Sequence, residues 1–156
     1  VGQISARLSD LGITIPQVAK PVAAYVPAMV TGNLLYTAGQ LPFVDGALVQ
    51  TGKVGAEVSP AQGAELARIC VLNALAAAQS VLGSLETITR VVKVNGYVAS
   101  HPDFIGQPQV LNGASELLAE IFGDKGLHAR AAVGVAVLPL DAPVEVELIL
   151  EFAPSR

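Results

Sequence analysis

The segment Val144 to Phe152 alternates with a period of two. Val144, Val146, Leu148, Leu150 and Phe152 fall on one side, and Glu145, Glu147, Ile149 and Glu151 on the other. Only an extended chain separates two such sets onto opposite faces, so the segment is a strand with one buried and one wetter face. The run from Ala129 to Leu138 holds Arg130 followed by small and β-branched apolar residues, and reads as another strand, joined to the last by Pro139-Leu140-Asp141-Ala142-Pro143. A sheet with one apolar face needs a covering layer.

The rest of the chain supplies that layer. Ser59-Pro60-Ala61-Gln62 is a helix start, because serine caps free amides, proline fits the first turn and glutamine completes a capping box. The helix is expected to run to about Leu82, with Leu66, Cys70, Asn73 and Ala77 on one stripe and Gly83 ending it. A second helical region starts at Asp103, is interrupted by Pro108, continues through Leu111, Ala114, Leu117, Leu118, Ile121 and Phe122, and stops at Gly123. Between the two lies a strand from Ile88 to Val98, in which Gly96 implies a bulge or a close backbone approach. Ahead of the first long helix, Tyr25 to Val30 and Leu34 to Gln40 form a hairpin about Thr31-Gly32-Asn33, and a short strand follows Asp45-Gly46 at Ala47 to Val49. Ile4, Leu8 and Leu11 share one face of a short helix, and a connector runs from Pro16 to Pro21. The expected order is a helical extension over residues 1–15, then β-β-β-α-β-α-β-β, one α+β domain over residues 1–156 with its helices on one face of the sheet.

Composition narrows the function classes. A chain that is 52% hydrophobic and only 14% charged is expected to hide apolar surface between subunits. No uninterrupted apolar run reaches about 18 residues and no secretory pattern opens the chain, which predicts a cytoplasmic protein without a membrane partner. Cys70 stands alone, so no intrachain disulfide forms, and His101 and His128 show no metal-ligand spacing. Nine basic residues scattered singly in a chain of net charge −4 argue against nucleic acid as a partner.

Arg130 is the residue the strand pattern does not explain. A guanidinium stays charged, so in a strand of core character it must meet a carboxylate. Either Glu147, on a neighbouring strand or across an interface, pairs with it, or the two share a pocket in which Arg130 grips a ligand carboxylate with two parallel hydrogen bonds. Tyr25 reads as a residue of the first strand with its hydroxyl at the sheet rim. His128 is either a base or a loop residue just ahead of the strand, and Asn95 and Asn112 are either pocket amides or local turn and cap residues.

The strings Tyr25-Val26-Pro27 through Thr37-Ala38-Gly39-Gln40-Leu41-Pro42, His128-Ala129-Arg130 through Leu138-Pro139, and Val144-Glu145-Val146-Glu147 resemble the Rid family (YjgF/YER057c/UK114) over about residues 20–153. The resemblance implies a chorismate-mutase-like fold with a mixed sheet and two main helices, a homotrimer around a central β-barrel, and ligand sites in clefts between subunits. It further implies hydrolysis of 2-enamine and 2-imine intermediates to 2-oxo acids and ammonia without a cofactor or metal. By the same resemblance Arg130 matches the carboxylate clamp, Glu147 the water-associated glutamate and Tyr25 the cleft tyrosine, with Ala38, Gly39 and Ala132 lining the site. Ala38 and Ala132 stand where deaminase members commonly have serine and cysteine. Together with the N-terminal helix and a longer stretch from Gly123 to His128, they indicate a divergent RidA-like branch. A carboxylate-binding or regulatory trimer without turnover is the alternative implied by those two alanines. Endoribonuclease activity, a label attached to the family, conflicts with the acidic charge balance.

Overall fold

Ser59 accepts a hydrogen bond from the Gln62 amide at 3.1 Å while the Gln62 side chain accepts one from the Ser59 amide at 2.8 Å. This reciprocal cap launches the longest helix, Pro60–Leu82. The computed structural model describes residues 2–18 and 23–154. In chain order the elements are α1 (Gln3–Asp10), β1 (Ala28–Thr31), β2 (Leu34–Thr37), β3 (Phe43–Val44), β4 (Ala47–Leu48), α2 (Pro60–Leu82), β5 (Ile88–Ala99), α3 (Gln107–Phe122), β6 (Ala129–Val135) and β7 (Val144–Phe152). The expected connector from Pro16 to Pro21 lies partly outside the described residues.

Five strands form one sheet in the order β1-β2-β7-β5-β6, with β3 and β4 as a separate small hairpin. Only the β5–β6 pair is parallel, joined through α3, so the sheet is mixed. Its register sorts every side chain. Leu148, Val94 and Arg130 form one row and Val146, Gly96 and Ala132 the next, with Glu147, Asn95 and Ala131 in the row between. The Leu148 and Val146 rows face the helices, where Val94, Val98, Val146 and Leu150 are fully buried with Cys70 and Ala74 of α2 and Leu111 and Leu117 of α3. Among the described residues the opposite face is covered only at one end, where Tyr97, Ala99 and Val135 pack with Leu41, Leu48, Leu138 and Ala142. One of its rows is Met29-Tyr36-Ile149-Lys93-Ala129, and Met29 and Tyr36 in it are exposed.

Strand β6 ends at Val135 rather than at Leu138, and three further boundaries differ from expectation for identifiable reasons. Pro108 does not interrupt a helix, because α3 begins at Gln107 and proline falls in its first turn, where the backbone N–H has no intrahelical partner. Strand β1 starts at Ala28, which leaves Tyr25 outside it. Strand β2 ends at Thr37, whose buried hydroxyl takes over by accepting the Leu148 amide at 2.9 Å, and Gln40 returns to the sheet in a bridge to Val146. Helix α2 has the length and average apolarity of a bilayer span, which counting uninterrupted apolar runs did not register, yet half of that stretch is buried inside the fold.

Gly96 marks a close approach rather than a bulge. A Cβ there would fall 2.1 Å from Leu111 Cδ1, so α3 packs directly on the backbone of β5. Gly113 does the same between helices, where a Cβ would lie 2.1 Å from the Ala64 carbonyl oxygen of α2. Asn73, the polar member of the α2 stripe, donates to the carbonyls of Leu41 and Phe43 at 3.0 Å each and ties the Gly39–Pro42 turn to the helix.

Helix α1 is held at its start by Glu86. Its carboxylate accepts the amides of Ile4 and Ser5 and the Ser5 hydroxyl at 2.7–3.1 Å, while Arg7 donates to the Ile121 carbonyl near the end of α3. Desolvation pushes the Glu86 pKa up, but the hydrogen bonds from Ser5 and Ile4 outweigh it and the net shift is downward. A lowered carboxylate pKa stabilises the fold above the ordinary carboxylate range, and the contribution is lost as pH falls through the folded value. Glu86→Gln is expected to cost about 1 kcal/mol on the helix-capping scale, with solvent screening keeping it at the low end. Thermal melts at neutral pH should show a loss of about 2–4 °C, and an unchanged midpoint would refute the role assigned to Glu86.

Candidate functional site

Arg130 and Glu147 do not meet within one chain. Strand β5 lies between β6 and β7, and the register sends Arg130 to the helix side with Val94 and Glu147 to the open side with Asn95. An ion pair between them inside the chain is therefore excluded. Arg130 instead reaches α3, where Nη1 donates to Asn112 Oδ1 at 2.9 Å and to Ser115 Oγ at 3.2 Å. Both acceptors are neutral. Among the described residues no carboxylate pairs with Arg130, and its Nε/Nη2 edge has no protein partner. That edge offers the two parallel N–H groups that fit a planar carboxylate.

His128 sits just ahead of β6, as one of its two expected readings has it, but its ring is engaged. Nε2 lies 2.9 Å from Ser115 Oγ and Nδ1 lies 2.6 Å from the Gly126 carbonyl. Asn112 serves neither a turn nor a cap, since its amide oxygen takes the guanidinium. Sequence spacing hides this grouping, because α3 and β6 approach one another only after the crossover has folded. Ala132 shares the helix-facing side of β6 and packs against the core.

The open face carries a second cluster. Glu147 Oε1 accepts from the Tyr97 hydroxyl at 2.9 Å and from the Asn95 side-chain amide at 3.2 Å. Glu145, two residues earlier on the same face, lies against Gly39 so closely that a Cβ there would fall 2.2 Å from Glu145 Oε1. Burial, and then the charge of Glu147, raise the Glu145 pKa. The Tyr97 pKa is also raised, first by its hydrogen bond to Glu147, then by burial and the two carboxylates. Sequence reasoning placed Glu145 on this face but gave it no role. Its signal was the absence of a side chain at Gly39, which lets the backbone approach a strand carboxylate.

Tyr25 is exposed and precedes the sheet by three residues; Ala38 donates its amide to the Pro27 carbonyl at 2.8 Å. Tyr25 thus lies by the β1 edge, four strand spacings from Arg130 on the β6 edge, or roughly 19 Å at about 4.8 Å per strand. Two surface depressions, of about 300 and 460 Å³, include none of the candidate residues. Cys70 is fully buried, and burial followed by the charge of Glu145 pushes its thiol pKa well up, so it is not a nucleophile. No group of three or more His, Cys, Asp or Glu among the described residues is placed to hold a metal.

Comparison with known proteins is consistent across sequence and structure. Residues 5–152 match the family described as "YjgF/chorismate mutase-like, putative endoribonuclease". The chain is 43% identical over 151 residues to Protein TCP17 of Trypanosoma cruzi, covering 96% of this chain and 94% of the relative. It is 31% identical over 140 residues to a 2-iminobutanoate/2-iminopropanoate deaminase of Dermatophagoides farinae, covering 88% and 93%. Among solved structures, a protein of unknown function from Agrobacterium tumefaciens superposes with a TM-score of 0.87 at 47% identity, covering 96% of this chain and 91% of that one.

Proposed function

Because this chain belongs to the YjgF/chorismate mutase-like (Rid/RutC) family, we propose that it hydrolyses reactive 2-imine and 2-enamine acids to 2-oxo acids and ammonia at clefts between the subunits of a homotrimer, in the cytoplasm. The observation that carries the reading is Arg130, a strand guanidinium with two neutral acceptors at one end and an unpartnered edge at the other. Two further features support it. The half-sites around Tyr25 and Arg130 lie at opposite sheet edges, where successive copies in a ring bring unlike edges together. The open end of the second sheet face, with Met29 and Tyr36 exposed, is the surface that barrel closure buries.

In this reading the substrate carboxylate docks on the Nε/Nη2 edge of Arg130, and Tyr25, Ala38, Gly39 and Ala132 line the cleft. Water adds to the imine carbon as a carboxylate takes one of its protons and hands it to nitrogen, giving a carbinolamine; the same carboxylate then carries the remaining hydroxyl proton to nitrogen, so that the C–N bond breaks, ammonia leaves and the carbonyl forms. The geometry favours Glu145 for this transfer, since it lies beside Gly39 with a raised pKa. Glu147, held by Tyr97 and Asn95, supplies the negative charge that helps raise it. No cofactor or metal is needed, because such imines already react with water and positioning plus one proton acceptor accelerates them.

The test is turnover of 2-iminobutyrate generated in situ, read as release of 2-oxobutyrate above the uncatalysed rate, with light scattering giving three times the chain mass of 16.0 kDa. No acceleration at micromolar protein would sink the deaminase reading. Binding of 2-oxo acids in calorimetry without acceleration would support the regulatory trimer, which is motivated by Ala38 and Ala132 adding no polar side chain to the cleft.

Glu145→Gln is expected to lower kcat about a hundredfold, within the range for removing a general base, and to abolish the acid limb of the pH–rate profile. A raised carboxylate pKa means the folded chain holds this proton more tightly than the unfolded one. That contribution to stability is complete below the ordinary carboxylate range and lost as pH rises through the folded value. Melts of Glu145→Gln from pH 4 to 8 should therefore lack this downward slope. A variant with the parental pH–rate profile would remove Glu145 from the mechanism.

A further inference from the structure

The donors and acceptors around Arg130 admit only one arrangement while His128 is neutral. The Gly126 carbonyl can only accept, so Nδ1 at 2.6 Å carries the proton and Nε2 is a lone pair. Ser115 at 2.9 Å must then donate its hydroxyl proton to Nε2, and its oxygen accepts from Arg130 Nη1 at 3.2 Å. Asn112 turns its amide oxygen to the same Nη1 at 2.9 Å. Four residues from α3, the turn after it and β6 are thus strung in a single direction: guanidinium to serine, serine to histidine, histidine to backbone carbonyl.

We propose that Asn112, Ser115 and His128 are positioning residues that fix the Arg130 guanidinium and keep its charge available to a ligand carboxylate. The proposal rests on the reading that Arg130 binds the substrate carboxylate. A free arginine side chain loses rotamer freedom when it binds, and that cost weakens affinity. Here Nη1 is anchored by two acceptors and the serine is itself oriented by histidine, so the cost is met on folding. The acceptors matter as much as the geometry. A carboxylate in place of Asn112 would neutralise the guanidinium and compete with the ligand, whereas an amide and a hydroxyl orient it and leave its charge uncompensated.

The test measures 2-oxobutyrate binding by calorimetry and imine turnover for the full chain and five variants. Arg130→Ala should bind nothing measurable. Ser115→Ala should weaken binding five- to tenfold, with the loss falling on KM rather than kcat, and Ser115→Thr, which keeps the hydroxyl, should restore it. His128→Leu should reproduce the Ser115→Ala loss, while His128→Gln, which keeps an acceptor near the Nε2 position, should recover most of it. A merely structural role for His128 or Ser115 would lower the melting temperature in step with affinity and would show no rescue by the conservative pair. Parental affinity in Ser115→Ala and His128→Leu, with Arg130→Ala silent, would overturn this proposal and leave the carboxylate reading standing. Absence of binding by the parent chain would overturn both.

Discussion

Replacing Arg130 with alanine is expected to lower kcat/KM for a 2-imino acid roughly a thousandfold while the subunits stay folded and assembled. Truncating one partner of a desolvated, hydrogen-bonded charge pair costs about 2–5 kcal/mol, and each 1.4 kcal/mol or so is a factor of ten in rate. Stability should change little, because the chain's own partners for the guanidinium are the neutral Asn112 and Ser115 and no buried charge is orphaned by its removal. Arg130→Lys separates geometry from charge. An ammonium keeps the charge but cannot present two parallel N–H groups, so its activity should lie between alanine and parent. The measurements are steady-state kinetics on 2-iminobutyrate and light scattering of each variant. An alanine variant with parental kcat/KM would refute the clamp, and a lysine variant equal to the parent would refute the bidentate geometry.

Gly113→Ala is expected to cost about 2–3 kcal/mol, against the direction that helix propensity alone predicts. In an exposed helix interior alanine is favoured over glycine by about 1 kcal/mol. Here the added methyl would sit 2.1 Å from the Ala64 carbonyl oxygen, which is backbone and cannot rotate away. Helices α2 and α3 must separate, and the loss of contact at Leu66, Ala67, Leu117 and Ala114 follows the cost of overpacking a filled core. Differential scanning calorimetry should show a drop of roughly 4–12 °C. Because Asn112 and Ser115 flank this glycine on α3, the same variant should also raise KM. A melting temperature at or above the parent's would show that the two helices do not approach at this point.

Helix α2 and strand β7 were legible to the residue, from Ser59 and Pro60 to Leu82 and from Val144 to Phe152. Each has a local cause: a reciprocal cap within four residues, and an alternation that only an extended chain satisfies. Tyr25 was misplaced into a strand because its neighbours have β character, yet pairing begins only at Ala28, and pairing is decided by the partner strand. The start of α3 was read at Asp103 because Pro108 looked like an interruption rather than a first-turn residue. Of the candidate site, Arg130 was legible as a charge out of place. Its relation to Glu147 was not, since whether two strands are neighbours depends on the sheet order, and β5 enters between β6 and β7.

The sequence by itself determined the types of the main elements, the more deeply buried face of the sheet and the presence of one guanidinium among the small apolar residues of a strand, all consequences of periodicity and residue type. Only the tertiary structure decided that Arg130 turns to α3, that Asn112, Ser115 and His128 receive it there, and that Glu145 rather than Glu147 lies against Gly39. Those relations join residues far apart in the chain, and strand order and register, which no local pattern encodes, place them face to face.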